Sequence, residues 1–245
     1  VKSFLLALQF LTVAMVNSGL KAGPLDLARS RAWYGVVGGL LGLVLAGAAW
    51  LMGRWLPPLV LAGVLVLLWG ALTRFLHYDG VADTADALVH TTTRERALAI
   101  MKDTRLGSFG VAGIATVMLI KFAALASLSG PALWAGLVAA PALARALAAA
   151  MAGLLPPARP NQGLGAAVAQ GPELWPDLAA GLSGVAIAVL AAGRAGAVAA
   201  LVVLVLGLVL GRWYIRRIAG VTGDTLGAAI ETGELAVLIT LVALG

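Results

Sequence analysis

Runs of about 18 or more nearly uncharged residues recur along this chain, and about 20 helical residues suffice to cross a hydrocarbon core roughly 30 Å thick. A backbone in lipid has no water to bond to, so such runs read as helical spans. Composition agrees: 61% of the 245 residues are apolar, 11% are charged and the mean hydropathy is +1.00. That is too little polar surface to coat a water-soluble particle of this size. The expected architecture is all-α, a polytopic transmembrane bundle of about 7–8 helices, with residues 1–245 forming a single integral-membrane domain.

The spans are placed at residues 4–19, 33–52, 58–76, 108–127, 132–154, 178–193, 195–212 and 232–245. The first run has a preceding lysine, as a signal peptide would, but no small-residue cleavage site follows it. It is read as a helix that spans the membrane or lies in its interface. Gly38, Gly39, Gly42, Ala46 and Gly47 suit close packing of helices in lipid. The absence of cysteine excludes disulfides, thiolate-held clusters and thiol nucleophiles.

A net charge of +6 would suggest nucleic acid in a soluble protein, but here the basic residues sit at the ends of apolar runs. There they set orientation, and no nucleic-acid partner is implied. One set of loops holds Lys21, Arg29, Arg31, Arg74, Arg94, Arg96, Lys102, Arg105, Arg159, Arg212, Arg216 and Arg217, whereas the opposite set holds Arg54 and Arg194. The positive-inside rule puts the first set in the cytoplasm. Lys121 and Arg145 lie within apolar runs, where each either faces a polar cavity or snorkels to an interface.

Seven of the eleven acidic residues fall in three segments on the basic face: Asp79, Asp83 and Asp86; Asp103; and Asp224, Glu231 and Glu234. Asp79, Asp83 and Asp86 are spaced by four and three residues, which gathers them within about 60° on one helical stripe. Three carboxylates on a stripe repel one another unless a cation binds them. Oxygen-rich sites suit Mg²⁺, with Mn²⁺ as an alternative, and Mg²⁺ is commonly held by one or two carboxylates completed by water and substrate phosphates.

In the second segment Lys102 and Arg105 are placed on phosphate charge and Asp103 on metal. Ser108 is expected to cap the following helix, whose N-terminus favours anions. In the third, Asp224 and Glu231 share a helical face and Glu234 lies about one turn further on. Carboxylates entering an apolar run are costly in lipid and should face a polar cavity or a bound cation. Thr222 or Asp224 is also read as an N-cap.

Three ordered motifs now carry a family resemblance: His77-Tyr78-Asp79-Gly80-Val81-Ala82-Asp83-Thr84-Ala85-Asp86-Ala87, then Met101-Lys102-Asp103-Thr104-Arg105-Leu106-Gly107-Ser108-Phe109-Gly110, then Thr222-Gly223-Asp224-Thr225-Leu226-Gly227-Ala228 with Glu231 and Glu234. Together they resemble the cobalamin synthase family of adenosylcobinamide-GDP ribazoletransferases. The resemblance implies a Mg²⁺-dependent enzyme of the cytoplasmic (inner) membrane. Its implied reaction joins adenosylcobinamide-GDP to α-ribazole or α-ribazole 5′-phosphate and releases GMP.

On that reading Asp79, Asp83, Asp86, Asp103 and Asp224 are the metal ligands. Asp83, Asp86, Lys102, Arg105 and Glu231 carry the chemistry, and His77, Lys102, Arg105, Ser108, Thr222 and Glu234 contact substrate. The expected partners are the two substrates and the lipid bilayer, and an oligomer is compatible with the sequence. Arg159-Pro160-Asn161-Gln162-Gly163-Leu164-Gly165 resembles a cytoplasmic loop with a Gly-Leu-Gly element.

Two other readings compete with this one. One is another Mg²⁺-dependent membrane transferase of the CDP-alcohol phosphotransferase or prenyltransferase type, although Asp79-Gly80-Val81-Ala82-Asp83 lacks the arginine that the CDP-alcohol signature requires. The other is a cation transporter built on Glu231 and Glu234, against which the gathering of acids at one face argues.

Overall fold

The computed structural model describes residues 1–14, 22–89, 93–160, 168–169 and 173–245. Helices α1 (Lys2–Leu11) and α2 (Pro24–Ser30) lead through a 3-10 turn at Arg31–Trp33 into α3 (Tyr34–Met52) and α4 (Pro58–Leu72). Then follow α5 (Leu76–Leu88), α6 (Arg94–Ile100), α7 (Ser108–Ser127), α8 (Gly130–Leu154), α9 (Trp175–Ile218) and α10 (Gly223–Leu244). Among the described residues five stretches are long and apolar enough to cross a membrane: Leu25–Met52, α7, α8, α9 and α10. The bent pair of α4 and α5 makes a sixth if it counts as one span.

The expected span over residues 4–19 is not found in that form. Helix α1 has ten residues, about 15 Å at 1.5 Å per residue, or half a hydrocarbon core. Residues 15–19 lie outside the described part.

Helix α8 is the hub, packed against α3, α9 and α10. Its run from Ala139 to Ala149 is buried throughout and consists largely of alanine, so neighbouring backbones approach closely. Gly38 and Gly42 of α3 meet α8 backbone at Pro141 and Leu137, and a Cβ at either would collide with it. Gly39 packs on Ile187 of α9, whereas Gly47 has nothing within 4 Å and is exposed. Close packing therefore explains three of the four glycines singled out in the sequence.

Helix α9 is too long for one crossing: its 44 residues are about twice what a bilayer needs. It folds back at Gly193 (φ 55°, ψ −127°), a conformation that glycine adopts without steric cost. The reversal is visible in packing, since Gly184 meets Ala146 and Gly207 meets Leu147, adjacent residues of α8. The two runs read at 178–193 and 195–212 are its two arms.

A second break separates α4 from α5, which meet at 89°. Arg74 and Phe75 both take left-handed φ values, 56° and 54°, a strained choice for residues with side chains. The Phe75 ring folds against Gly70, where a Cβ would strike it. The sequence placed one span at 58–76 followed by a loop. The span stops at Leu72 instead, and the acidic stripe lies, as its spacing suggested, on a helix, one whose His77, Gly80 and Thr84 are buried in the bundle.

The basic segments do share one end. Arg94 donates to the carbonyls of Ile218 and Ala158, and Arg217 donates to that of Leu88. Ala158 N–H bonds Val221 C=O at 2.8 Å across the β-bridge between Pro157 and Val221. Arg54 lies at the other end, lining a cavity with Ser129 and Gly130 at the α7–α8 turn.

Candidate active site

Helix α5 presents its acids toward the N-terminus of α10. The contact depends on two glycines: a Cβ on Gly80 would stand 2.6 Å from the Asp224 carbonyl oxygen, and one on Gly227 would stand 3.3 Å from the His77 Cα. With hydrogens at both positions the two backbones touch. The consequence is electrostatic: Asp83 feels the charges of Asp224, Asp79 and Asp86, and Asp224 feels Asp79. Residues from the first and third motifs thus form one acidic groove. Asp79 is exposed, while Asp83, Asp86 and Asp224 are half-buried.

Asp86 has a defined structural task. Its carboxylate accepts the backbone N–H of Gly107 and of Gly110, each at 2.8 Å. These amides begin α7, where the first turn has no intrahelical acceptors. The cap therefore comes from α5. Ser108 was expected to cap α7, but the N-cap position is Gly107 and Ser108 is the first helical residue.

The N-cap of α10 is Thr222, as the sequence suggested. Its hydroxyl accepts the Thr225 N–H, and the Thr225 hydroxyl accepts the Thr222 N–H, a reciprocal capping box. The Thr222 hydroxyl also lies 3.3 Å from Asp224 Oδ2, which orients that carboxylate.

Asp103 is not drawn into the groove. It pairs with Arg105 at 2.6 Å on the surface, and the Arg105 hydrogen bonds hold its carboxyl below the usual carboxylate range. Lys102 is exposed and lines a cleft of about 400 Å³ with Glu95, Leu98, Ala99, Arg159 and Pro160. Arg159, read in the sequence only as part of a loop, acts electrostatically on both Asp83 and Asp224. Residues 161–165 of that loop, and His90, lie outside the described part.

Glu231 and Glu234 require a correction. The sequence set them in the site as a catalytic and a substrate-contacting residue, facing a polar cavity or a bound cation. Both are fully buried in the bundle and paired elsewhere. The Lys121 ammonium lies 2.6 Å from each, and Arg145 Nη1 lies 2.6 Å from Glu234 Oε1. Trp69 Nε1–H also donates to Glu234, and Lys121 sits over the Trp69 ring at 4.5 Å.

Two cations and two carboxylates cancel, which is what burial in an apolar bundle demands. The signal was present in the sequence as charges inside apolar runs, but the pairing was not. His77 is buried beside this network, and its Nδ1 has no hydrogen-bond partner among the described residues. With Glu231 and Glu234 both buried and paired, neither offers an open carboxylate for a transport path.

Among the described residues no three His, Asp or Glu side chains close a metal cage by themselves. Mg²⁺ does not need one, because substrate phosphates and water complete its octahedron. Four carboxylates gathered at the α5–α10 contact, with Arg159 acting on Asp83 and Asp224, suit such a half-built site.

The family described as Cobalamin-5-phosphate synthase matches residues 3–242. A protein of Pseudomonas paraeruginosa named adenosylcobinamide-GDP ribazoletransferase is 43% identical over 242 residues, covering 98% of this chain and 97% of its own length. One of the same name from a Roseiflexus species is 35% identical over 235 residues, covering 96% of this chain and 87% of its own length. Another, from Geotalea daltonii, is 34% identical over 242 residues, covering 99% and 97%. No solved structure matches the chain.

Proposed function

We propose, from the premise that the chain belongs to the cobalamin-5-phosphate synthase family, that the acidic groove between α5 and α10 is where its reaction takes place. That reaction is the last stage of vitamin B12 synthesis, in which adenosylcobinamide-GDP is joined with ribazole. The observation that carries the location is the convergence of Asp83 and Asp224, from two motifs far apart in sequence, across the contact at Gly80.

Balance of the reaction sets what the groove must do. A ribose hydroxyl of α-ribazole, or of its 5′-phosphate, bonds to the cobinamide-side phosphorus. The anhydride bond to the GMP phosphate breaks and GMP leaves, while the hydroxyl proton passes to a carboxylate oxygen of the groove. Asp79, Asp83 and Asp224 are the residues that would hold Mg²⁺, or Mn²⁺ in its place. Bound there, the ion supplies charge neutralisation for the diphosphate. Asp86 braces the groove by fastening α5 to the start of α7. Lys102 stands at the rim as a further positive charge for the nucleotide side.

The groove opens on the end of the bundle that collects the basic loops, so the positive-inside rule turns it toward the cytoplasm of the inner membrane. The test is direct. Purified protein in detergent or lipid should form a cobalamin and GMP from adenosylcobinamide-GDP and α-ribazole, and chelation of Mg²⁺ should stop it. Turnover that persists in excess chelator would remove the metal from this account; no turnover where a verified relative works would remove the reaction.

A further inference from the structure

We propose that Arg159 is the residue that binds the phosphate departing with GMP, closing the acidic groove on its nucleotide side. The proposal rests on the reading of the groove as the reaction site and deepens it. An arginine offers five N–H donors in a planar fork that matches phosphate oxygens. Arg159 uses Nη2 to anchor itself, donating to the Leu98 carbonyl at 2.7 Å. Its Nε is buried and has no hydrogen-bond partner among the described residues. A buried donor without an acceptor is costly to keep, and a phosphate oxygen brought to this Nε would satisfy it.

Position says what that ligand is. The Arg159 charge acts on both Asp83 and Asp224, yet none of the ion pairs within 4 Å among the described residues includes it. Guanidinium and carboxylates are thus near enough to act on one another without an ion pair between them. A carboxylate cluster repels a bare anion, but a group carrying oxygens for a metal on one side and for a guanidinium on the other fits between them. A phosphate is such a group. The same arginine lines the open cleft of about 400 Å³ with Glu95, Leu98 and Lys102, and a nucleotide held there would bring its phosphate to the guanidinium. Of the two substrates, only the one carrying a diphosphate has a group that must leave through such an opening.

The test compares the wild-type chain with Arg159→Ala and Arg159→Gln, purified in detergent with Mg²⁺, using GMP as the titrant in calorimetry. The expected result is GMP binding weakened by about tenfold or more in both variants. The KM for adenosylcobinamide-GDP should rise in parallel and the KM for α-ribazole should stay within about twofold. Anchoring to Leu98 alone predicts something else, a lowered melting temperature with both substrates affected alike, and that result would overturn the proposal. Unchanged GMP affinity in either variant would overturn it too. If Arg159→Ala does not fold, the glutamine variant, which retains length and polarity, decides by the same titration. Wild-type protein that binds GMP but never forms a cobalamin would count against the reaction and leave the Arg159 assignment to be judged by its own titration.

Discussion

Lys121 and Glu231 are 110 residues apart in the chain and 2.6 Å apart in the fold. With Glu234 and Arg145 they tie α7, α8 and α10 together at the centre of the bundle, and α10 in turn carries Asp224 to the groove. Replacing Lys121 by methionine leaves a buried carboxylate without its cation, a loss of about 3–5 kcal/mol when one partner of a buried pair is removed. Thermal unfolding in detergent should show a large drop for Lys121→Met and partial recovery for Lys121→Met with Glu231→Gln. Equal stability of the single variant and wild type would mean that the network bears no weight.

Asp86 should behave as a cap supplied from a neighbouring helix. Asp86→Ala removes both acceptors from the first turn of α7, at a cost of about 1 kcal/mol, and Asp86→Asn removes less because one oxygen remains. Hydrogen exchange at the Gly107 and Gly110 amides reads this directly. Protection that survives Asp86→Ala would show that another group satisfies them.

Gly80 sets how closely α5 approaches α10. A methyl group there meets the Asp224 carbonyl at 2.6 Å, and relieving such overpacking costs about 1–3 kcal/mol. Since the groove depends on that spacing, Gly80→Ala should lower kcat by about tenfold or more in protein that still inserts. Gly47→Ala serves as the control, because that position has nothing within 4 Å and alanine is the better helix former by about 0.5–1 kcal/mol. A variant at Gly80 as active as the Gly47 control would contradict the packing argument.

Asp83→Asn and Asp224→Asn should each lower metal-dependent turnover severely, on the order of a hundredfold, and the double variant should be little worse than either, as for residues that act as a unit. Initial rates across a Mg²⁺ titration make the comparison. Multiplying losses in the double variant would instead indicate two independent contributions.

Because the chain contains no cysteine, single cysteines report orientation cleanly. A cysteine at Thr104 should be labelled by an impermeant reagent only from the cytoplasmic side, and one at Trp55, which is 72% exposed, only from the opposite side. The same side for both would overturn the placement of the groove.

What the sequence determined was the solvent of the chain and the inventory of its chemistry. Apolar runs of bilayer length admit helices and little else, because backbone groups in lipid must be satisfied within the segment. Scarcity of charge then made the three acidic segments conspicuous, and the four-and-three spacing put Asp79, Asp83 and Asp86 on one helix. These are local properties, readable from neighbours a few residues away. The bend at Arg74 and Phe75 was not readable, since two left-handed residues with side chains are tolerated only where surrounding packing, here the Phe75 ring on Gly70, imposes them.

Only the tertiary structure decided which charges meet. Glu231 and Glu234 carry the same residue type and the same helical setting as a metal ligand would, and in sequence they stand about two and three turns from Asp224. Their partners, Lys121 and Arg145, lie 110 and 89 residues away. Whether a carboxylate entering an apolar helix finds a buried ammonium or an open groove depends on how the helices pack around it, and helical periodicity determines a residue's face without specifying what that face touches.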